Sequence, residues 1–232
     1  MRLLVTRPLR KAREVAQALE AMGHQVTVEP MLDIHLLPLP RLEPEKFDAV
    51  IFTSANGVDA MQAAGVVAEF AQTPVFCVGE ATARSAGDAG FVNVTSANGD
   101  GAALARLMAG RLAPGRVLHV RGRHGLAEPA ATLRHAGFTC DTITGYDARP
   151  RLALSAATAA AMQAGQFDAV VLYSPRSAEI LGSLVENIGL KAPFSVAFCL
   201  SAAISRAAAP LADQTRAPAT PDGQALLEMI AG

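Results

Sequence analysis

FDAVIFTS at residues 47–54 returns as FDAVVLYS at 167–174, an offset of 120 residues. AVIF and AVVLY are apolar throughout, without polar alternation, which is the pattern of strands covered on both faces in a parallel sheet. Each run closes on a serine, Ser54 or Ser174, a residue type that caps helix N-termini because its hydroxyl accepts an orphan backbone N–H. Strand, cap and helix make one βα unit. Its recurrence predicts an α/β fold in two related halves, each a small doubly wound sheet.

Two further blocks recur around this one. RLLVTR at 2–7 is echoed by RVLHVR at 116–121 (116 − 2 = 114), and the same offset pairs Glu14 with Glu128, Leu19 with Leu133 and Gly23 with Gly137. DGAALARLMAG at 100–110 returns as DGQALLEMIAG at 222–232 (222 − 100 = 122). Three matching blocks indicate a duplicated unit; a solenoid would show shorter and more numerous repeats. Between the blocks, LLV, VTVE, AVIF, VFCV and VAFCL read as strands, while Ala12, Val15, Ala16, Leu19 and Met22 fall at helical spacing in a helix that ends before Gly23. Too few βα units are present for a barrel of eight.

Proline-rich passages at 36–44 (LLPLPRLEP) and 147–155 (DARPRLALS) interrupt the pattern. Proline restricts itself and its predecessor, so both are expected to be extended crossovers between domains. The corresponding division puts 1–36 and 151–232 in one discontinuous domain closed by both chain ends, and 37–149 in the other. A cut near Pro114, between the repeats, is the competing division, and the sequence leaves both open.

At 232 residues and 51% hydrophobic content the chain can fill two cores. Its 20 Lys+Arg against 21 Asp+Glu give no global field for nucleic acid or acidic membrane, so an anionic ligand has to be held by local donors. The apolar run in MRLLVTRPLRK is too short for a signal peptide or a membrane span, and the expected location is the cytoplasm. Cys77, Cys140 and Cys199 lie in apolar stretches without CxxC spacing and read as buried, reduced thiols.

Parallel sheets bind ligands beyond their carboxyl ends, where helix N-termini present unpaired N–H groups. The loops so placed are Thr53-Ser54-Ala55-Asn56-Gly57, Gly79-Glu80-Ala81-Thr82 and Ser174-Pro175-Arg176-Ser177. Helix capping alone accounts for any one of them; two equivalent loops in duplicated halves point toward a shared ligand site in a cleft between the halves. There is no GxGxxG, Walker A, HExxH or GxSxG sequence, so nucleotide, zinc-peptidase and serine-hydrolase chemistry lacks its parts, and His119, His124 and His135 do not have zinc spacing. Arg121-Gly122-Arg123, after a strand, is a candidate carboxylate clamp. Tyr146, one of two tyrosines, stands at the entry to the second crossover, with linker anchoring as its plain structural role.

Taken in order, LLVTRP, FDAVIFTSANGV, VGEATA, VLHVRG, ITGYDARP, AVVLYSPRSAE and the closing DGQALLEMI resemble the uroporphyrinogen-III synthase family from end to end. The resemblance implies a monomer of two flavodoxin-like domains joined by a two-stranded linker. It implies a lyase of heme biosynthesis that closes hydroxymethylbilane, a linear tetrapyrrole with eight carboxylates, into uroporphyrinogen III with inversion of the last pyrrole and with no cofactor or metal. Tyr146 matches the family's linker tyrosine, proposed to assist loss of the hydroxyl, and Thr53, Ser54, Thr82 and Ser174 match cleft residues near the substrate. Arg7, Asn56, Gly79, Arg121, Ser177 and Ser201 complete the expected substrate-binding set. One turn departs from the family: Leu200-Ser201-Ala202-Ala203-Ile204 stands where a Gly-x-Thr-Thr-Ala pattern is frequent, so no threonine is available there. A two-domain binding module without catalysis is the main alternative, and a glycosyltransferase-like enzyme a third; fold alone does not separate them.

Overall fold

AVIF and AVVL are the central strands of two sheets, buried at every residue, with alternate side chains entering different cores. Val50 and Phe52 face one cluster and Ala49 and Ile51 another; Val170 and Leu172, and Ala169 and Val171, divide in the same way. The computed structural model describes residues 1–124 and 129–232, so the Glu14–Glu128 match falls outside the described residues at its second member.

The chain runs β1 (Arg2–Val5), α1 (Leu9–Ala21), β2 (Gln25–Val28), β3 (Leu32–Leu36), β4 (Ala49–Phe52), α2 (Ala55–Ala63), β5 (Val75–Cys77), α3 (Glu80–Ala89), β6 (Val94–Ser96), α4 (Gly101–Ala109) and β7 (Arg116–Gly122). It continues through α5 (Ala130–His135), β8 (Thr139–Pro150), α6 (Ala156–Gln163), β9 (Ala169–Leu172), α7 (Pro175–Asn187), β10 (Phe194–Cys199), α8 (Ala202–Ala208), β11 (Ala212–Arg216) and α9 (Gly223–Ala231). The first helix buries Ala12, Val15, Ala16 and Leu19 and stops where Gly23 takes a left-handed φ of 84°, with the N–H of His24 donating back to the Leu19 carbonyl.

Two compact units divide the fold: Met1–Asp33 with Arg149–Gly232, and Ile34–Ala148. The first holds a parallel sheet ordered β2-β1-β9-β10-β11, the flavodoxin-like order. The second is ordered β3-β8-β7-β4-β5-β6, with β4 to β8 parallel. Set against each other, the two sheets have the same spatial sequence: β9, β10, β11, β1 and β2 stand where β4, β5, β6, β7 and β8 stand. The first unit is therefore the second read from a different starting point, and its two segments are the two chain ends.

The repeat also fixes equivalent contacts. The aspartate of each FDAV run binds the first arginine of the neighbouring strand: Asp48 Oδ2 accepts the Arg116 N–H at 2.7 Å and Asp168 Oδ2 the Arg2 N–H at 2.6 Å. The backbone returns the bond in both units, Asp48 N–H to Arg116 O and Asp168 N–H to Arg2 O. Asp100 and Asp222, heads of the third block, cap α4 and α9 through the N–H groups of Ala103 and Ala225.

The chain passes between units within β3 and β8, which pair. Leu37 N–H bonds Gly145 O while Arg151 N–H bonds Met31 O, so one strand advances as the other retreats and the pair is antiparallel. Buried Glu29 ties the first-unit side: its carboxylate accepts from the Ser155 and Thr158 hydroxyls, each at 2.6 Å, and pairs with Arg151 at 3.0 Å. Burial acts to raise its pKa, yet these hydrogen bonds and the arginine leave it below the usual glutamate value.

Candidate functional site

Strand order locates the ligand-binding end of each sheet. In the first unit the chain goes from β1 to β2 on one side and returns on the other side as β9; in the second it leaves β4 toward β5 and β6 and returns as β7. The crevice at such a reversal, beyond the carboxyl ends of the two strands, is where open α/β sheets bind ligands. The crossover points are thus β1/β9 and β4/β7.

The expected residues sort onto these edges in matched sets. Arg7 follows β1, and Ser174 and Ser177 follow β9; Thr53, Ser54 and Asn56 follow β4, and Arg121 lies at the end of β7. Ser201 follows β10 and Gly79 and Thr82 follow β5, one strand further out in each sheet. Ser54 caps α2 by accepting the Asn56 N–H at 3.3 Å. Ser174 caps α7 by accepting the Ser177 N–H at 3.1 Å, and its hydroxyl lies 2.8 Å from the buried Ser177 hydroxyl. Gly79 and Ser201 hold the N-cap positions of α3 and α8 without a side-chain bond, and Thr82 is buried in the first turn of α3. Gly57 sets α2 close to the sheet, since a Cβ there would stand 2.7 Å from the Val120 carbonyl oxygen.

Tyr146 lies within β8. A bulge between Arg121 and Gly122 shifts the β7–β8 register, so Arg121 pairs Thr144 and Gly122 pairs Tyr146, with Gly145 the extra residue. The half-buried Tyr146 ring rests on Gly122: an added Cβ there would meet its Cε2 at 2.6 Å, its Cζ at 2.7 Å and its hydroxyl at 3.0 Å. Glycine is needed to seat the ring at the carboxyl end of β7. The strand itself runs through Gly122, so Arg121 and Gly122 belong to it and do not follow it, because pairing with β8 continues past the bulge. Of the proposed arginine clamp, Arg123 has a carboxylate in its own chain: its Nε lies 3.5 Å from Asp147, as does Nε2 of His124.

Sequence reading passed over Tyr173, the other tyrosine. Arg7 lies over its ring, 3.9 Å from guanidinium carbon to centroid, at the β1/β9 crossover. The signal available was its position, equivalent to Thr53 across the FDAV repeat. His119, on β7, is buried with neither ring nitrogen hydrogen-bonded among the described residues, and burial first, then Arg121 and Arg134, push its pKa down to about 4. The cysteines are free and buried, with Cys77 pushed up to about 12 chiefly by burial. Among the described residues no group of three His, Cys, Asp or Glu side chains can hold a metal, and no helix is long and apolar enough to cross a membrane.

The family described as uroporphyrinogen-III synthase HemD matches residues 13–228. The chain belongs to the uroporphyrinogen-III synthase family. The family's function is uroporphyrinogen III formation in tetrapyrrole biosynthesis. Solved uroporphyrinogen-III synthases share the fold. A crystal structure of uroporphyrinogen-III synthetase from Helicobacter pylori is 16% identical with a TM-score of 0.68, covering 99% of this chain and 98% of its own. A mutant uroporphyrinogen III synthase from Thermus thermophilus is 18% identical with a TM-score of 0.58, covering 99% and 96%. Among curated proteins no sequence matches significantly.

Proposed function

We propose that the chain is a cytoplasmic, monomeric lyase that converts hydroxymethylbilane to uroporphyrinogen III without a cofactor, with Tyr146 assisting loss of the hydroxyl. The terminal hydroxymethyl C–O bond breaks with its oxygen hydrogen-bonded by Tyr146; that oxygen leaves as water after taking a proton from solvent, the pyrrole nitrogen stabilises the resulting cation, and the proton released at ring closure returns to solvent. The last ring then attacks through its substituted carbon toward a spiro intermediate, whose rearrangement inverts that ring and closes the macrocycle. The leaving group needs a proton donor but no strong nucleophile from the protein. The linear substrate also closes spontaneously without inversion, so the larger task is to hold the folded conformer that leads to the type III product.

Eight carboxylates are to be held by a chain of net charge −1, which local donors accomplish: helix N-termini, hydroxyls and arginines at strand ends. Arg7, Ser174, Ser177 and Ser201 supply them in one unit and Thr53, Ser54, Asn56, Gly79, Thr82 and Arg121 in the other. Tyrosine is a weak acid, so Tyr146 acts as a hydrogen-bond donor to the departing oxygen rather than as a full proton source. The observation that carries its assignment is the ring seated on Gly122 at the carboxyl end of β7. The test is incubation of purified protein with hydroxymethylbilane and no additive: type III product is expected, and type I product alone overturns the reading.

A further inference from the structure

Arginines at the two ends of the first sheet's central strands are held differently. Arg2, where β1 begins, pairs with Asp168, and its counterpart Arg116, where β7 begins, pairs with Asp141. These pairs fasten the amino edges and use up the cation. Arg7, at the carboxyl edge, has no carboxylate partner among the described residues. Its guanidinium lies instead over the Tyr173 ring at 3.9 Å, well within cation–π range.

The surroundings fix this pair in place. Buried Thr6, just before Arg7, donates its hydroxyl to the Val171 carbonyl of β9 at 3.1 Å, clamping the end of β1 against the strand that leads directly into Tyr173. Among the described residues no hydrogen bond of good geometry reaches the buried Tyr173 hydroxyl oxygen, and the contact that holds the cation is the ring face. Burial, the main cause, raises the phenol's pKa against the lowering effects of the Arg7 charge and of the guanidinium's polar contact with the hydroxyl, so the phenol stays neutral. An aspartate in this place would neutralise the guanidinium and compete for its N–H groups, whereas a ring orients the cation and leaves those groups for a ligand.

We propose that Tyr173 is a positioning residue: its ring holds Arg7 at the β1/β9 crossover so that the guanidinium takes one carboxylate of the tetrapyrrole. The inference rests on the reading of the chain as a uroporphyrinogen-III synthase. Such a contact is made to the substrate before and during reaction alike, so its loss belongs in KM more than in kcat.

The experiment measures kcat, KM and melting temperature for wild type, R7M, Y173M, Y173F and R7M/Y173M. R7M removes a charged hydrogen-bonding group and is expected to raise KM roughly tenfold or more with kcat little changed. Y173M fills the volume without a ring face and is expected to raise KM roughly threefold to tenfold. Y173F restores the ring and should stay within about twofold of wild type. The double variant should be no worse than R7M alone, because Tyr173 acts through Arg7. Tyr173→Leu replaces Y173M if methionine is not accommodated. A second measurement needs no change at Tyr173: in Y146F it is the sole tyrosine, and product binding should shift its carbon-13 ring NMR signal, an effect lost in Y146F/R7M. Wild type without type III turnover overturns the functional reading and this inference with it. Active wild type with an unchanged KM in the folded ring-less variant, with fully additive R7M and Y173M effects, or with a Tyr173 signal indifferent to product, overturns the inference alone.

Discussion

Tyr146 and Gly122 form one device, since the ring occupies the space that any side chain at 122 would need. Tyr146→Phe keeps that packing and removes the donor. The expected outcome is an unchanged melting temperature, kcat lower by on the order of tenfold or more, a smaller change in KM and a rising share of type I isomer as unreacted substrate closes in solution. Turnover, isomer ratio and melting temperature on one preparation separate this from a purely structural tyrosine, which predicts lower stability with near-normal turnover per folded molecule. His119 makes an opposite kind of prediction, about stability alone. Its pKa of about 4 in the folded chain means that an unfolded chain, titrating near the ordinary histidine value, binds a proton first as pH falls. Stability is therefore fully present above about pH 6.5 and drains away between about 6.5 and 4, by an amount of order 3 kcal/mol. His119→Leu removes both the slope and two buried nitrogens without hydrogen bonds among the described residues, so its denaturation midpoint should exceed that of wild type at pH 5 and depend less on pH. Parallel profiles for the two proteins would rule out His119 as the source.

Helices α2 and α7 follow equivalent strands, yet their glycines do different work. Gly57 lets α2 lie against β7, and a Cβ there would press on the backbone oxygen of Val120, which has no rotamer to move to. Gly182, in α7, has open space where a Cβ would go. Gly57→Ala should destabilise by about 1–3 kcal/mol as α2 lifts, and Gly182→Ala should stabilise by about 0.5–1 kcal/mol through helix propensity. Thermal melts of the two variants should move in opposite directions; equal shifts would mean that α2 does not depend on that close approach. Neither sign is readable from the letter G in ANGV or ILGS. Core strands were legible because AVIF and AVVL are apolar without interruption and closed by a serine, signals that lie within eight residues. The Arg7–Tyr173 stack and the Glu29–Arg151 pair were not, because they join residues separated by 166 and 122 positions whose neighbours are set by strand order. The bulge that pairs Tyr146 with Gly122 was hidden for a related reason: ITGYD looks like simple alternation, and only pairing with β7 reveals the extra residue.

At the scale of the whole molecule, the sequence repeat and the strand order together say that the first unit is a permuted copy of the second. In the second unit α4 ends at Ala109 and β7 begins at Arg116, with Gly110 to Gly115 between them. In the first, α9 ends at Ala231 and β1 begins at Arg2, so that Gly232 stands for Gly110 and Met1 for Gly115. The positions without a counterpart are Arg111, Leu112, Ala113 and Pro114. Joining Gly232 to Met1 through those four residues should therefore rebuild in the first unit the connection that the second already has. New ends opened between Gly165 and Gln166, in an exposed turn before β9, would place β9, β10, β11, β1 and β2 in uninterrupted chain order, matching β4 to β8. Loop closure changes stability only slowly with length, so the permuted protein should melt within roughly 2–4 °C of the parent, equivalent to about 1 kcal/mol. Its type III turnover should also persist, because Arg7, Ser174 and Ser201 keep their places at the carboxyl edge of an unchanged sheet. A permuted chain that expresses as a molten or aggregated protein would mean that the connection from α9 to β1 cannot be made as it is from α4 to β7, and that the two units share a strand order without sharing a path.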